Sequence, residues 1–96
     1  MEQPYDRMDL FYYQTHAGYE VDFLVRQETR NVELIQVTQN LSALKTRDRE
    51  IRAILEAANE LAVKKLTIVT LDTEEVIDQD SREIQVVPGW KWTQFD

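Results

Sequence analysis

From residue 10 to residue 38, apolar and polar positions follow the two-residue period of extended chain; from 44 to 62 they follow a helical one. "LFYYQT" (10–15) is an aromatic-rich strand, "HAGY" (16–19) a turn in which Gly18 can take positive φ, and "EVDFLVR" (20–26) a second strand. After a polar turn at 27–31, "VELIQVT" (32–38) makes a third strand, so the first three form an antiparallel meander. Leu44, Ile51, Ile54, Leu55, Ala58, Leu61 and Ala62 then recur as one stripe of a long helix. Asn40, Ser42 and Thr46 are the candidate caps at its start, and Lys64 and Lys65 close it against the helix dipole.

"LTIVTL" (66–71) has the apolar run of a strand buried in a sheet, and a strand on either side of the helix predicts a parallel, right-handed crossover. The segment 72–88 reads as an acidic loop ending in a strand near 83–87, before the tryptophan-bearing "GWKWTQF". The predicted order is β-β-β-α-β-β: an α/β fold with a mixed sheet of about five strands and one long helix. Residues 1–9 read as a flexible N-terminal tail and 10–96 as one domain.

Strict alternation puts Glu20 and Asp22 on one face of the second strand, with Val21, Phe23 and Val25 on the other. On the third strand, Leu34, Gln36 and Thr38 share a face opposite Glu33, Ile35 and Val37. Pairing the two strands brings Glu20 and Asp22 next to Gln36 and Thr38, while the apolar sets Val21, Phe23, Val25 and Ile35, Val37 pack on the helix or another layer. The polar cluster has two readings: a solvated sheet face, or oxygen ligands for Mg²⁺.

Composition narrows the chemistry. The chain lacks cysteine and has one histidine, His16, which excludes disulfides and cysteine- or histidine-rich metal sites. His16 reads as a turn residue. Net charge is −7, which works against non-specific attraction to nucleic acid. There is neither a basic-then-apolar secretory leader nor an apolar run near the roughly 20 residues that span a bilayer, so the expectation is a soluble cytoplasmic protein without membrane contact.

"GYEVDFLV", "VELIQVT", "KTRDREIRAILEA", "LTIVTLD" and "IQVVPGWKW", taken in order, resemble the C-terminal domain found behind many prokaryotic AAA-type ATPase modules of unknown function. That domain is similar to the PD-(D/E)xK nuclease superfamily, which includes restriction endonucleases and Holliday-junction resolvases. The resemblance covers about residues 10 to 95. It implies a restriction-endonuclease-like core and a magnesium-dependent site acting on DNA, in which Asp22 matches the first acid and Glu20 assists it. The (D/E)xK pair falls on Gln36-Val37-Thr38, so both polar positions depart from the pattern. Gln36 keeps an oxygen but loses a charge, and Thr38 removes the cation that would help stabilise a pentavalent phosphate. Lys45, or Arg49, stands where a lysine relocated to the helix would be.

The resemblance thus names a metal set of Glu20, Asp22 and Gln36 and a catalytic set of Asp22, Gln36, Thr38 and Lys45, with hydrolysis weak or lost. The alternative is a non-catalytic module for protein association or DNA docking, attached to an ATPase. No GxxxxGK[ST] loop is present, so the chain reads either as a fragment of a longer protein whose ATPase module lies elsewhere or as a stand-alone relic. Lys45, Arg49 and Arg52 line one helical face, either as a phosphate-contacting edge or as a solvated face paired with Asp48, Glu50 and Glu56. Trp90 and Trp92 are stacking platforms for bases or cover for a core edge. A first strand aromatic on both faces calls for cover on both sides, from a partner domain or from a second copy in a homodimer.

Overall fold

The computed structural model describes residues 8–92. Its strands are β1 (Met8–Gln14), β2 (Glu20–Gln27), β3 (Arg30–Val37), β4 (Lys65–Thr70), β5 (Glu75–Gln79) and β6 (Arg82–Pro88); its helices are α1 (Leu44–Leu61) and the short α2 (Gly89–Trp92). One six-stranded sheet has the order β1-β2-β3-β4-β6-β5. β1, β2 and β3 form the predicted antiparallel meander, and α1 carries the chain across to β4, which runs parallel to both β3 and β6. β4 lies at the centre and is buried from Leu66 to Thr70, as its apolar run requires.

The acidic stretch read as a loop contributes a sixth strand. Asp80 and Ser81, both with positive φ, make a two-residue turn that folds β5 back on β6 and buries Ile77 opposite Ile84. The remaining differences are local. β1 begins at Met8, and its tail, residues 1–7, lies outside the described residues, as do 93–96. The second turn shrinks to Glu28 and Thr29. α1 starts after Ala43 with no side-chain cap, so none of Asn40, Ser42 and Thr46 caps it; Asn40 instead binds Ser42 in the preceding loop. The helix ends at Ala62 in the left-handed region, leaving Lys64 outside it and Lys65 in β4. Gly18 takes φ +93 in the first turn, as expected.

The main core lies between α1 and one face of the sheet, joining Ile51, Ile54, Leu55 and Ala58 to Val21, Leu24, Leu34, Leu66, Ile68, Ile84 and Val86. The opposite face carries a smaller cluster of Val25, Ile35 and Val69, over which Met8, Val32, Val87 and Trp92 pack. The predicted face assignment of β2 is therefore wrong. Phe11 pairs with Leu24 but Tyr13 pairs with Val21, so Tyr12 faces two residues, Asp22 and Phe23, in a β-bulge. The extra residue shifts the alternation: Val21 and Leu24 reach the helix, whereas Phe23 and Val25 face away. On β3 the two predicted sets do fall on opposite faces, but Leu34 and Gln36 meet the helix layer while Ile35 and Val37 point to the open side.

Candidate functional site

The β2–β3 ladder ends at the pair Phe23–Ile35. The next rung would join Asp22 to Gln36, and there side chains replace the backbone bonds. The Asp22 N–H donates to Gln36 Oε1 (2.8 Å), and Gln36 Nε2 donates to the Glu20 carbonyl (3.1 Å). In return the Val37 N–H donates to Asp22 Oδ2 (2.8 Å). Gln36 is 1% exposed, so backbone groups opened by the bulge would otherwise lack partners in an almost dry place. A carboxamide supplies both the acceptor that Asp22 N–H needs and the donor that the Glu20 carbonyl needs.

Glu20, Asp22 and Gln36 thus lie together, as pairing of the two strands predicts, but in different surroundings from those expected, and Thr38 is not joined to them. Gln36 is not part of a wet polar face but lies in the buried layer. Glu20 and Asp22 remain exposed, and Glu20 faces the Tyr12 hydroxyl. Partial desolvation, and then the Glu20 carboxylate, hold the Tyr12 hydroxyl above the ordinary tyrosine pKa. Thr38 continues alongside β4 through its N–H to the Val69 carbonyl (2.9 Å), and its hydroxyl turns toward the Asn40 carbonyl at 3.5 Å. Lys45 is exposed and makes no hydrogen bond or ion pair among the described residues.

Glu50 is the site residue that sequence reasoning left on a solvated face. Its carboxylate is half-buried on α1, and desolvation raises its pKa, with Arg49 opposing the shift and the charge of Asp22 adding to it. Arg49 Nε stands 3.5 Å from Glu50 Oε2. The signal was in the helical spacing: Glu50 precedes Ile54 by four and Ala57 by seven, so it sits on the edge of the apolar stripe. The predicted basic edge is dispersed, with Arg49 on Glu50, Arg52 over the Tyr19 ring (5.3 Å) and Arg47 on Glu75 through two bonds of 3.1 and 3.0 Å.

The tip of the β1–β2 hairpin folds against α1. Tyr13 Oη donates to Glu60 Oε1 (2.6 Å) and the His16 N–H to Glu60 Oε2 (2.9 Å), which hold the Glu60 carboxyl below its usual range. His16 is thus a turn residue, its Nδ1 3.5 Å from Glu60. The two tryptophans lie on the helical turn α2: Trp92 packs on the second apolar cluster, and Trp90 is exposed.

A family model for a domain of unknown function, DUF4143, matches residues 1–92. The chain belongs to this family. No curated protein and no solved structure matches it.

For a divalent cation the donor set does not fit. Among the described residues no three carboxylate, histidine or cysteine side chains converge. The Gln36 carboxamide is engaged at both ends and one Asp22 oxygen holds the Val37 N–H, so these donors serve the strands. No helix among the described residues is long and apolar enough to cross a membrane.

Proposed function

We propose that this domain is a non-catalytic docking module of an ATPase-linked protein, built on a nuclease-like core in which metal-dependent hydrolysis is weak or lost. The observation that carries the reading is the bridge of Asp22 and Gln36 across the end of the β2–β3 ladder. Side chains in the positions of metal ligands satisfy backbone groups instead, and Lys45 offers its charge to none of them. An acidic balance of −7 also favours a protein partner over DNA.

The test is a Mn²⁺ titration of the isotope-labelled protein, read by paramagnetic broadening of backbone amides. The expected result is weak, diffuse broadening over exposed carboxylates, unchanged in Asp22→Ala and in Asp22→Asn, which can still accept from Val37. Selective broadening at 20–22 and 36–38 that both variants lose would overturn the reading.

A further inference from the structure

The sheet face turned away from α1 is only partly covered. Directly opposed residues share a face, so the rows Phe23–Ile35–Thr67–Gln85–Val76 and Val37–Val69–Val87 run across it. Trp92 and Val87 pack against the buried cluster of Val25, Ile35 and Val69, yet Phe23 is 38% exposed, Val37 51%, Val76 52%, and Leu10 and Tyr12 60% each. Contiguous apolar exposure of this kind marks an interaction surface.

Acids flank the apolar strip at both ends. Glu20 stands at one end, beside Tyr12. At the other, Asp78 on β5 lies directly opposite Glu83 on β6, two residues along from Gln85 on the same face. Like charges facing each other across a strand pair repel, and among the described residues none of these three carboxylates meets a cation. Among the described residues, the cations on or beside this face are Lys65, held by Glu33 at 3.7 Å, Arg30 at the far corner opposite Gln27, and Lys91 on α2, held by Glu74. A second copy would bring the same surplus of carboxylates, so the charge pattern disfavours self-association here.

Building on the docking reading above, we propose that this face binds a protein surface with an apolar centre and a lysine- or arginine-rich rim. The apolar strip supplies contact area, and the flanking acids select the partner's charge and fix its register.

The probe is a capped peptide with an apolar centre and lysines at each end, compared with a twin in which every lysine is glutamate. Binding to the intact chain is followed by methyl and amide NMR shifts. The cationic peptide is expected to shift Phe23, Ile35, Val37 and Val69 and to bind at least about tenfold tighter than its twin, with the preference fading at about 0.5 M salt. Phe23→Lys should remove binding, and the double change Asp78→Lys, Glu83→Lys should remove the charge preference while leaving apolar binding; both are exposed changes that far-UV circular dichroism can confirm as folded.

Equal binding of both peptides to this face would overturn the basic-partner assignment while leaving a docking module. Concentration-dependent dimerisation in sedimentation, abolished by Phe23→Lys, would overturn it in favour of a second copy. No binding by either peptide and no dimer would overturn the assignment and the docking reading together, whatever the Mn²⁺ titration gives.

Discussion

Gln36→Glu tests whether the buried bridge is a strand staple. At neutral pH the introduced carboxylate can still accept from the Asp22 N–H, but it has no donor for the Glu20 carbonyl, 3.1 Å from the present Nε2. Leaving that carbonyl facing an oxygen costs about 1–3 kcal/mol. That lost donor and the burial of a charged carboxyl at a position 1% exposed, beside Asp22, together raise its folded pKa. A rise of about 2 pH units contributes about 3 kcal/mol, a large part of the stability of a domain this size.

The sign follows from linkage. The folded pKa lies above the unfolded value of about 4.3, so the folded variant binds the extra proton and its stability falls as pH rises between the two values. Below that window the protonated carboxyl donates to the Glu20 carbonyl, as the amide does. Urea unfolding at about pH 5 and about pH 8 should show a loss of about 1 kcal/mol at the lower pH and about 3–4 kcal/mol at the higher. Equal losses at both values, or none, would refute the staple. Millimolar Mg²⁺ should recover part of the loss at the higher pH in the variant alone, since only the variant has the added charge.

Other changes probe the surroundings. Glu50→Gln should raise stability at alkaline pH, by less than about 1 kcal/mol given its remaining solvent contact, and leave it unchanged below the unfolded carboxyl pKa, because desolvation raises the folded value; urea curves at two pH values decide this. Ile54→Ala, at a fully buried position of α1, should cost about 2–5 kcal/mol and lower the melting temperature accordingly. Tyr13→Phe should return the Glu60 carboxyl toward its ordinary pKa in an NMR titration; since that pKa is depressed, the contribution of Glu60 is present above the unfolded value and fades as acid is added through the folded one.

The architecture was legible wherever period and burial agree. The apolar stripe of α1 and the uninterrupted run of β4 each have one way to bury themselves, and with three alternating runs before them they specify the mixed sheet. β5 escaped because Glu75, Asp78 and Asp80 outweigh Val76 and Ile77 by composition, although Ile77 alone needs burial. Its turn was encoded in Asp80-Ser81, at two positions that require positive φ. The helix caps failed for another reason: three residues able to cap lay within seven positions, and packing placed Ala43 at the boundary instead.

The candidate site was half legible, and the missing half traces to one residue. Alternation assigns faces only while the ladder keeps its register, and the bulge at Asp22 and Phe23 breaks it. The break turns Phe23 to the open face and ends the β2–β3 ladder at Phe23. It also sets Asp22 where its carboxylate can reach the Val37 N–H. With the ladder open, position 36 must both donate and accept, and a glutamine does both where a carboxylate or a lysine does one. Positions 36 and 38 therefore differ: Gln36 answers a backbone demand created by the bulge, while Thr38 bonds to β4 through its own backbone and its hydroxyl makes one long contact, 3.5 Å, to the Asn40 carbonyl. Thr38→Lys should consequently be tolerated, whereas Gln36→Glu should not, and that asymmetry is what a structural role for Gln36 requires.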